Sequence, residues 1–303
     1  MSSTAETPAG DPKAGGDSLW ARRAARRARR RSVTRTVVVG RTPLRIAVRP
    51  GTGSGPPLLL ANGIGASLET FDPLLAHIDP AIEVIRFDVP GVGGSPLPPR
   101  PYRFGTLAHL LAGLLDHLGH DQADILGISW GGALAQQFAL SERRRCRRVV
   151  LVATGTGVLM VPASPWVLTT LATPRRYMDP GYTRRIAGQL YGGTAREDAD
   201  QVAGVLHRWT RVGPSRGYLY QLAAGAGWTS LPLLPLLRQP TLVLAGDDDP
   251  IIPQVNGHIL ASLLPHARLH TYHGGHVELV LRPDLLAPLI NEFLTAPRPS
   301  AGR

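Results

Sequence analysis

The stretch that most restricts how this chain can fold runs from Ile125 to Gln137, Ile-Leu-Gly-Ile-Ser-Trp-Gly-Gly-Ala-Leu-Ala-Gln-Gln. An apolar run with Ala123, Ile125 and Leu126 has the composition of a buried strand; it stops at Gly127, and a small-residue helical pattern begins directly after Ser129. Strand, sharp turn and helix in so short a span put one serine at the apex, its hydroxyl raised above the sheet. The spacing Gly127-Ile128-Ser129-Trp130-Gly131 suits such a turn, because a Cβ at either glycine would collide across it. With 34 glycines in 303 residues the spacing alone could arise from composition, so its weight comes from the strand before it and the helix after it.

The rest of the chain alternates in a way that fits this centre. Val37-Val38-Val39, a Gly40-Arg41 turn and Leu44 to Val48 predict a β-hairpin. Leu58-Leu59-Leu60 and Val84-Ile85-Arg86-Phe87 predict short buried strands, followed by the glycine-rich loops Asn62-Gly63-Ile64-Gly65 and Asp88 to Ser95. An amphipathic helix is expected over Leu107 to Leu118, and further strands over Arg148 to Val152, Pro240 to Ala245 and Arg268 to Tyr272. Helices are expected between the later strands and over Leu285 to Leu294. Such alternation predicts an α/β fold, a mostly parallel eight-stranded sheet flanked by helices, with ligand-meeting loops at the carboxyl ends of its strands. The glycines near Pro90, Pro96, Pro98 and Pro99 do not open a helix with phosphate-loop spacing, so no nucleotide or phosphate cofactor is implied. Nor is a metal.

From Thr154 the alternation stops until about residue 232, which predicts a helical cap inserted after the sixth strand. Eight of the twelve Trp and Tyr residues fall there, among them Trp166, Trp209 and Trp228, the candidates for touching a substrate. The expected organisation is a disordered Arg-rich tail at 1–32, core at 33–153, cap or lid at 154–232, core again at 233–296 and a short disordered tail at 297–303.

Charge separates into two places. The net charge is +11, and residues 1–31 carry eight basic against three acidic side chains. A second knot, Arg143-Arg144-Arg145-Cys146-Arg147-Arg148, follows the central helix. Neither cluster is interleaved with aromatics that would stack on bases, which argues against nucleic acid. The expected reading is solvated arginines, with attachment of the tail to a granule or other anionic surface as the alternative. The single cysteine, the absence of a long apolar run and the lack of a secretory pattern at the start point to the cytoplasm and to no transmembrane segment.

A serine hydroxyl needs a base to take its proton and a carboxylate to hold that base in the right tautomer. The sequence offers Ser129, then aspartates at 247, 248 and 249 after one strand, then His276 after the next. Asp249 is the expected acid because Pro250 fixes its backbone, with Asp248 as the alternative; His276 is the expected base, with His273 the competing histidine of that loop. Backbone N–H groups of Trp130 and Ile64 are the expected oxyanion donors.

With these residues in place, the chain resembles the α/β-hydrolase superfamily over about residues 33 to 296, and within it the intracellular medium-chain-length poly(3-hydroxyalkanoate) depolymerases. The likeness is carried by Asn62 to Ala66, Phe87 to Ser95, Gly127 to Ala139, Pro174-Arg175-Arg176-Tyr177, Gly227 to Ser230 and Leu244 to Pro250. The resemblance implies that Ser129, Asp249 and His276 are nucleophile, acid and base, and that the reaction is cofactor-free hydrolysis of a hydrophobic polyester at a granule surface. The basic tail lies outside the family pattern. A carboxylesterase or lipase-like hydrolase of small hydrophobic esters, or a granule-associated protein without activity, are the alternatives on the same scaffold.

Overall fold

The computed structural model describes residues 32–209 and 213–297, apart from the side chains of residues 208 and 209. The tails expected at 1–32 and 297–303 lie outside the described residues except at 32 and 297.

Eight strands form one sheet: β1 (Val33–Val39), β2 (Thr42–Arg49), β3 (Leu58–Ala61), β4 (Val84–Phe87), β5 (Ala123–Ile128), β6 (Cys146–Val152), β7 (Thr241–Gly246) and β8 (Ala267–Tyr272). Their spatial order is β1-β2-β4-β3-β5-β6-β7-β8. β2 runs antiparallel to β1 and β4, and every other neighbouring pair is parallel. The expected α/β sheet is therefore present. β3, β4 and β5 are buried at every position, as strands covered on both faces must be. Edge strand β1 instead turns Val37 and Val39 inward and leaves Val38 in solvent.

Side-chain alternation along the strands divides the core into two layers. Leu58, Leu60, Leu126, Val150 and Leu244 join one layer with Leu190, Leu206 and Ile290; Leu59, Ile125, Leu151 and Val243 join the other with Leu107, Leu111, Leu134 and Phe138. The second layer is supplied largely by the helices Phe104–Leu118 and Trp130–Ser141. The first is completed by residues 153–240, which intervene between β6 and β7 and contain the helices Pro165–Leu171, Arg175–Met178, Pro180–Tyr191, Thr194–Glu197, Ala199–Trp209 and Ser215–Gly225. In Pro180–Tyr191 the buried residues Thr183, Ile186, Ala187, Leu190 and Tyr191 recur at helical spacing, so one stripe faces the interior.

The glycine-rich loop after β4 is a scaffold around one carboxylate. Asp88 is fully buried; its Oδ1 accepts from Leu68 N at 2.7 Å and its Oδ2 from Gly94 N at 2.8 Å and Arg45 Nη1 at 2.9 Å. A Cβ on Gly93, whose φ is +57°, would lie 2.4 Å from that carboxylate.

The arginine knot departs from expectation. Arg143 and Arg144 are exposed, but Arg145 donates to Asp121 O at 2.7 Å and His120 O at 2.8 Å. Arg147 grips the buried Asp124 through Nε at 2.8 Å, and Arg148, only 2 % exposed, donates to Leu294 O and Ala296 O. The run is not a solvated patch because β6 begins at Cys146, which carries the later arginines into the body of the molecule. Among the described residues no helix is long and apolar enough to cross a membrane.

Candidate active site

The turn after β5 has the geometry its sequence requires. Ser129 has φ 55° and ψ −121°, a left-handed conformation that costs a non-glycine residue roughly 1–3 kcal/mol and persists only where its surroundings enforce it. Ser129 N donates to Val152 O at 3.0 Å, and Thr154 Oγ1 donates to Ser129 O at 2.8 Å. A Cβ on Gly127 would lie 2.2 Å from Gly131 O, and one on Gly131 would lie 2.1 Å from Ala61 O. Both glycines are therefore needed for β5, the helix and β3 to close on each other.

Two loops at the far end of the sheet supply the imidazole and its carboxylate. Asp249 follows β7 and its side chain is fully buried; Oδ1 accepts from the backbone N–H groups of Ile251 and Ile252, each at 2.9 Å. Oδ2 lies 2.8 Å from Nδ1 of His276, whose own backbone N–H donates to Tyr191 O at 2.7 Å. The other two aspartates of the cluster point elsewhere. Asp247 meets the exposed His273 at 2.9 Å and raises its pKa through that hydrogen bond. Asp248 accepts from Arg196 at 2.6 and 2.8 Å and from Gly193 N at 2.7 Å, and the arginine lowers its pKa. Between the alternatives left by sequence, the geometry thus joins Asp249 and not Asp248 to His276, and engages His273 at the surface.

Ser129 and His276 line one cavity of about 590 Å³, with no hydrogen bond between them. Its floor includes Asn62, Gly63, Ile64 and Ile128; Leu171, Arg176, Tyr177, Tyr191 and Leu206 reach it from the helices between β6 and β7. The Ile64 and Trp130 N–H groups have no backbone acceptor among the described residues. The peptides beside them are held from above. Tyr177 donates its hydroxyl to Ile64 O at 2.7 Å, Gly65 N donates to Gln221 Oε1 at 2.8 Å, and Trp130 Nε1 donates to Gln221 O at 2.9 Å.

Of the three tryptophans singled out in sequence, Trp166 and Trp228 are not in the cavity wall. Trp228 packs on Phe104 at 5.0 Å between ring centroids and donates to Gln137 Oε1 at 2.9 Å, so its ring belongs to the layer under the central helix. Trp166 packs against the opposite layer without lining the cavity, and the side chain of Trp209 lies outside the described residues. Arg176, Tyr177 and Tyr191 stand in their place. The local signal for these was only the Pro174–Tyr177 segment of the resemblance; nothing in residue type distinguishes a tyrosine that roofs a cavity from one that fills a core.

A family model described as the alpha/beta hydrolase fold matches residues 56–283. The chain belongs to the alpha/beta hydrolase family. Among alpha/beta hydrolases it is 48% identical over 278 residues to a poly(3-hydroxyalkanoate) depolymerase of Ectopseudomonas oleovorans, covering 89% of this chain and 98% of that protein. It is 27% identical to 3-oxoadipate enol-lactonase 2 of Acinetobacter baylyi, over 77% of this chain and 86% of the relative. Among solved structures it resembles a hydrolase from Pseudomonas aeruginosa PA01, with a TM-score of 0.73 at 27% identity, covering 87% of this chain and 98% of that one. The enol-lactonase from Burkholderia xenovorans LB400 has a TM-score of 0.74 at 25% identity, covering 86% and 100%.

Proposed function

We propose that this alpha/beta hydrolase cleaves the ester bonds of medium-chain-length poly(3-hydroxyalkanoate) through an acyl-serine intermediate, with Ser129 as nucleophile, His276 as base and Asp249 as its orienting acid. The chemistry is supported by one observation above the others: the buried Asp249–His276 hydrogen bond of 2.8 Å, with His276 lining the same cavity as Ser129. The choice of polyester is supported by the likeness to the depolymerase along nearly the whole length of both chains.

In this reading Ser129 Oγ attacks the ester carbonyl while Nε2 of His276 takes its proton, and Asp249 holds Nδ1–H and stabilises the imidazolium. The carbonyl oxygen becomes an anion facing the Ile64 and Trp130 N–H groups, each donor of this kind being worth on the order of 3 kcal/mol. His276 returns the proton to the departing alkoxide, which leaves as an alcohol. Water then adds to the acyl-serine by the same route, releasing the acid and restoring Ser129. No cofactor or metal enters this sequence of steps.

Helices between β6 and β7 form the lid in this reading, and Leu171, Tyr177, Tyr191 and Leu206 give its inner surface the apolar character that suits side chains of several carbons. The enzyme would work in the cytoplasm at the surface of storage granules, with residues 1–31 as the basic attachment segment. Purified protein on a dispersion of medium-side-chain polyester, with chromatography of the products, should release 3-hydroxyalkanoic acids or short oligomers, and Ser129→Ala should release none. Turnover of short p-nitrophenyl esters without any release from polymer would favour a small-ester hydrolase instead. Failure of a fluorophosphonate probe to label Ser129 would remove the nucleophile and the enzyme reading together. Deleting residues 1–31 should abolish granule co-sedimentation at low salt, and unchanged co-sedimentation would refute their role.

A further inference from the structure

The roof of the cavity holds a charge with no partner of opposite sign among the described residues. Arg176 is 2 % exposed and lines the cavity that contains Ser129 and His276. Among the described residues its hydrogen bonds all go to neutral oxygens: the Tyr218 hydroxyl at 2.9 Å, Thr173 O at 3.3 Å and Ile64 O at 3.5 Å. The rings of Tyr177 and Tyr218 lie 4.5 and 5.5 Å from its guanidinium carbon, which eases burial of the cation without neutralising it. Arg86, equally buried, is paired with Asp72. Arg49 has no carboxylate partner among the described residues either, but its two Nη groups donate to four carbonyls, Leu75 O, Ile78 O, Asp79 O and Ile82 O, at 2.8 to 3.1 Å, leaving only Nε over, and it does not line this cavity. Arg176 has fewer acceptors, one of them at the limit of hydrogen bonding, and an open side.

A second donor is left over beside it. Tyr191 is 3 % exposed, its hydroxyl has no hydrogen-bond partner among the described residues, and it lines the same cavity. Burial pushes its phenol up, so the hydroxyl keeps its proton and remains available to donate. Around these two donors the wall is apolar, with Leu171, Leu206, Ile251 and Val280. A compact single anion on an aliphatic body satisfies such a surface. The planar guanidinium fork matches a carboxylate, whereas a phosphate would bring more charge than one cation offsets.

We propose that Arg176, assisted by Tyr191, is the subsite for the free carboxylate at the end of a polyester chain, so that units are removed from that end. This rests on the polyester-hydrolase reading of the same cavity. In a terminal unit, the carboxylate is separated from the scissile ester oxygen only by the substituted carbon and one methylene, which lets both ends sit in one cavity. Attack by Ser129 on the adjoining carbonyl carbon breaks its bond to that oxygen. The oxygen takes the proton from His276 and becomes the hydroxyl of a 3-hydroxyalkanoate held through its carboxylate. When water hydrolyses the acyl-serine, the acyl carbon of the shortened chain becomes a new carboxylate, the same group that the next round requires.

The test compares the linear dimer of 3-hydroxyoctanoate as its free acid with the same dimer methylated at the carboxyl group. For the intact chain, kcat/KM should favour the free acid by about tenfold or more, the size of a charge-assisted hydrogen-bonded contact. Arg176→Met should bring the ratio close to one, and Tyr191→Phe should lower it part of the way. Because Arg176 also touches the Ile64 peptide, the ratio and not the absolute rate carries the result. If Arg176→Met melts early or is recovered unfolded, Arg176→Lys keeps a charge without the fork and should retain only part of the preference. Equal turnover of acid and methyl ester by the intact chain would overturn the carboxylate subsite and leave the ester-hydrolase reading standing. A preference that survives Arg176→Met would do the same, and turnover of neither dimer would overturn both.

Discussion

The loops at the carboxyl end of the sheet and the helices inserted between β6 and β7 both face the cavity, but they contribute different things to it. The sheet loops bring Ser129, Asp249 and His276, side chains whose protons and lone pairs could take part in a reaction. The support of the carboxylate is short and local: Asp249 is held by the N–H groups of Ile251 and Ile252, a few residues along its own chain. The inserted helices bring Tyr177, Tyr191 and Gln221, which bond to backbone groups and to the Trp130 indole around the first group. Tyr177 fastens the Ile64 peptide, Gln221 fastens Gly65 and Trp130, and Tyr191 O fastens His276. In the proposed mechanism a rigid sheet fixes where the chemistry occurs, and a second layer sets the fine position of its donors. In such sites a displacement of about 1 Å can cost roughly 10²-fold in rate.

That contrast can be broken by substitution. Ser129→Ala and His276→Ala should each lower ester hydrolysis by about 10⁴-fold or more with an unchanged melting temperature, measured by product release and thermal unfolding. Asp249→Asn should follow, with a loss on the order of 10³ to 10⁴-fold in kcat, because the imidazole is held in the wrong tautomer. Asp248→Asn, which removes only a tie to Arg196 and Gly193, should cost less than about tenfold; equal losses from the two aspartates would erase the distinction between reacting and supporting carboxylates.

On the other side of the comparison, Tyr177→Phe removes a single hydrogen bond to the Ile64 peptide. It should lower kcat by about fivefold with little change in KM, consistent with a net worth of about 1 kcal/mol for one such bond. A rise in KM at constant kcat would show instead that the hydroxyl acts on substrate binding. Arg147→Met tests a place remote from both regions. It leaves the buried Asp124 without its guanidinium partner, so the protein should lose about 3 kcal/mol of stability while turnover of a soluble ester is unchanged.

The arginines teach a related lesson about reading charge from sequence. The run at 143–148 is the most conspicuous basic feature of the described chain, yet Arg147 and Arg148 spend their charge on Asp124 and on the carbonyls of Leu294 and Ala296. Arg176, one of two arginines in an unremarkable stretch, is the buried cation that reaches the cavity. Density of charge is visible in sequence, whereas the presence or absence of a counter-ion depends on residues far away in the chain.

Sequence alone determined the sheet, the elbow and the order of Ser129, Asp249 and His276, because each is written in local terms: apolar runs with period two, glycines where a Cβ cannot fit, and a proline fixing the residue before it. It favoured Asp249 through Pro250 but kept Asp248 as an alternative, since the two differ by a single step along a turn and diverge only when that turn is folded. It also left open the wall of the cavity. Trp228 and Tyr177 are both large aromatic residues in a list, and their fates part only because helix packing turns one ring under the central helix and the other into the cavity that Ser129 lines. Such contacts join residues more than a hundred positions apart, as Tyr177 joins Ile64, and no local pattern encodes them.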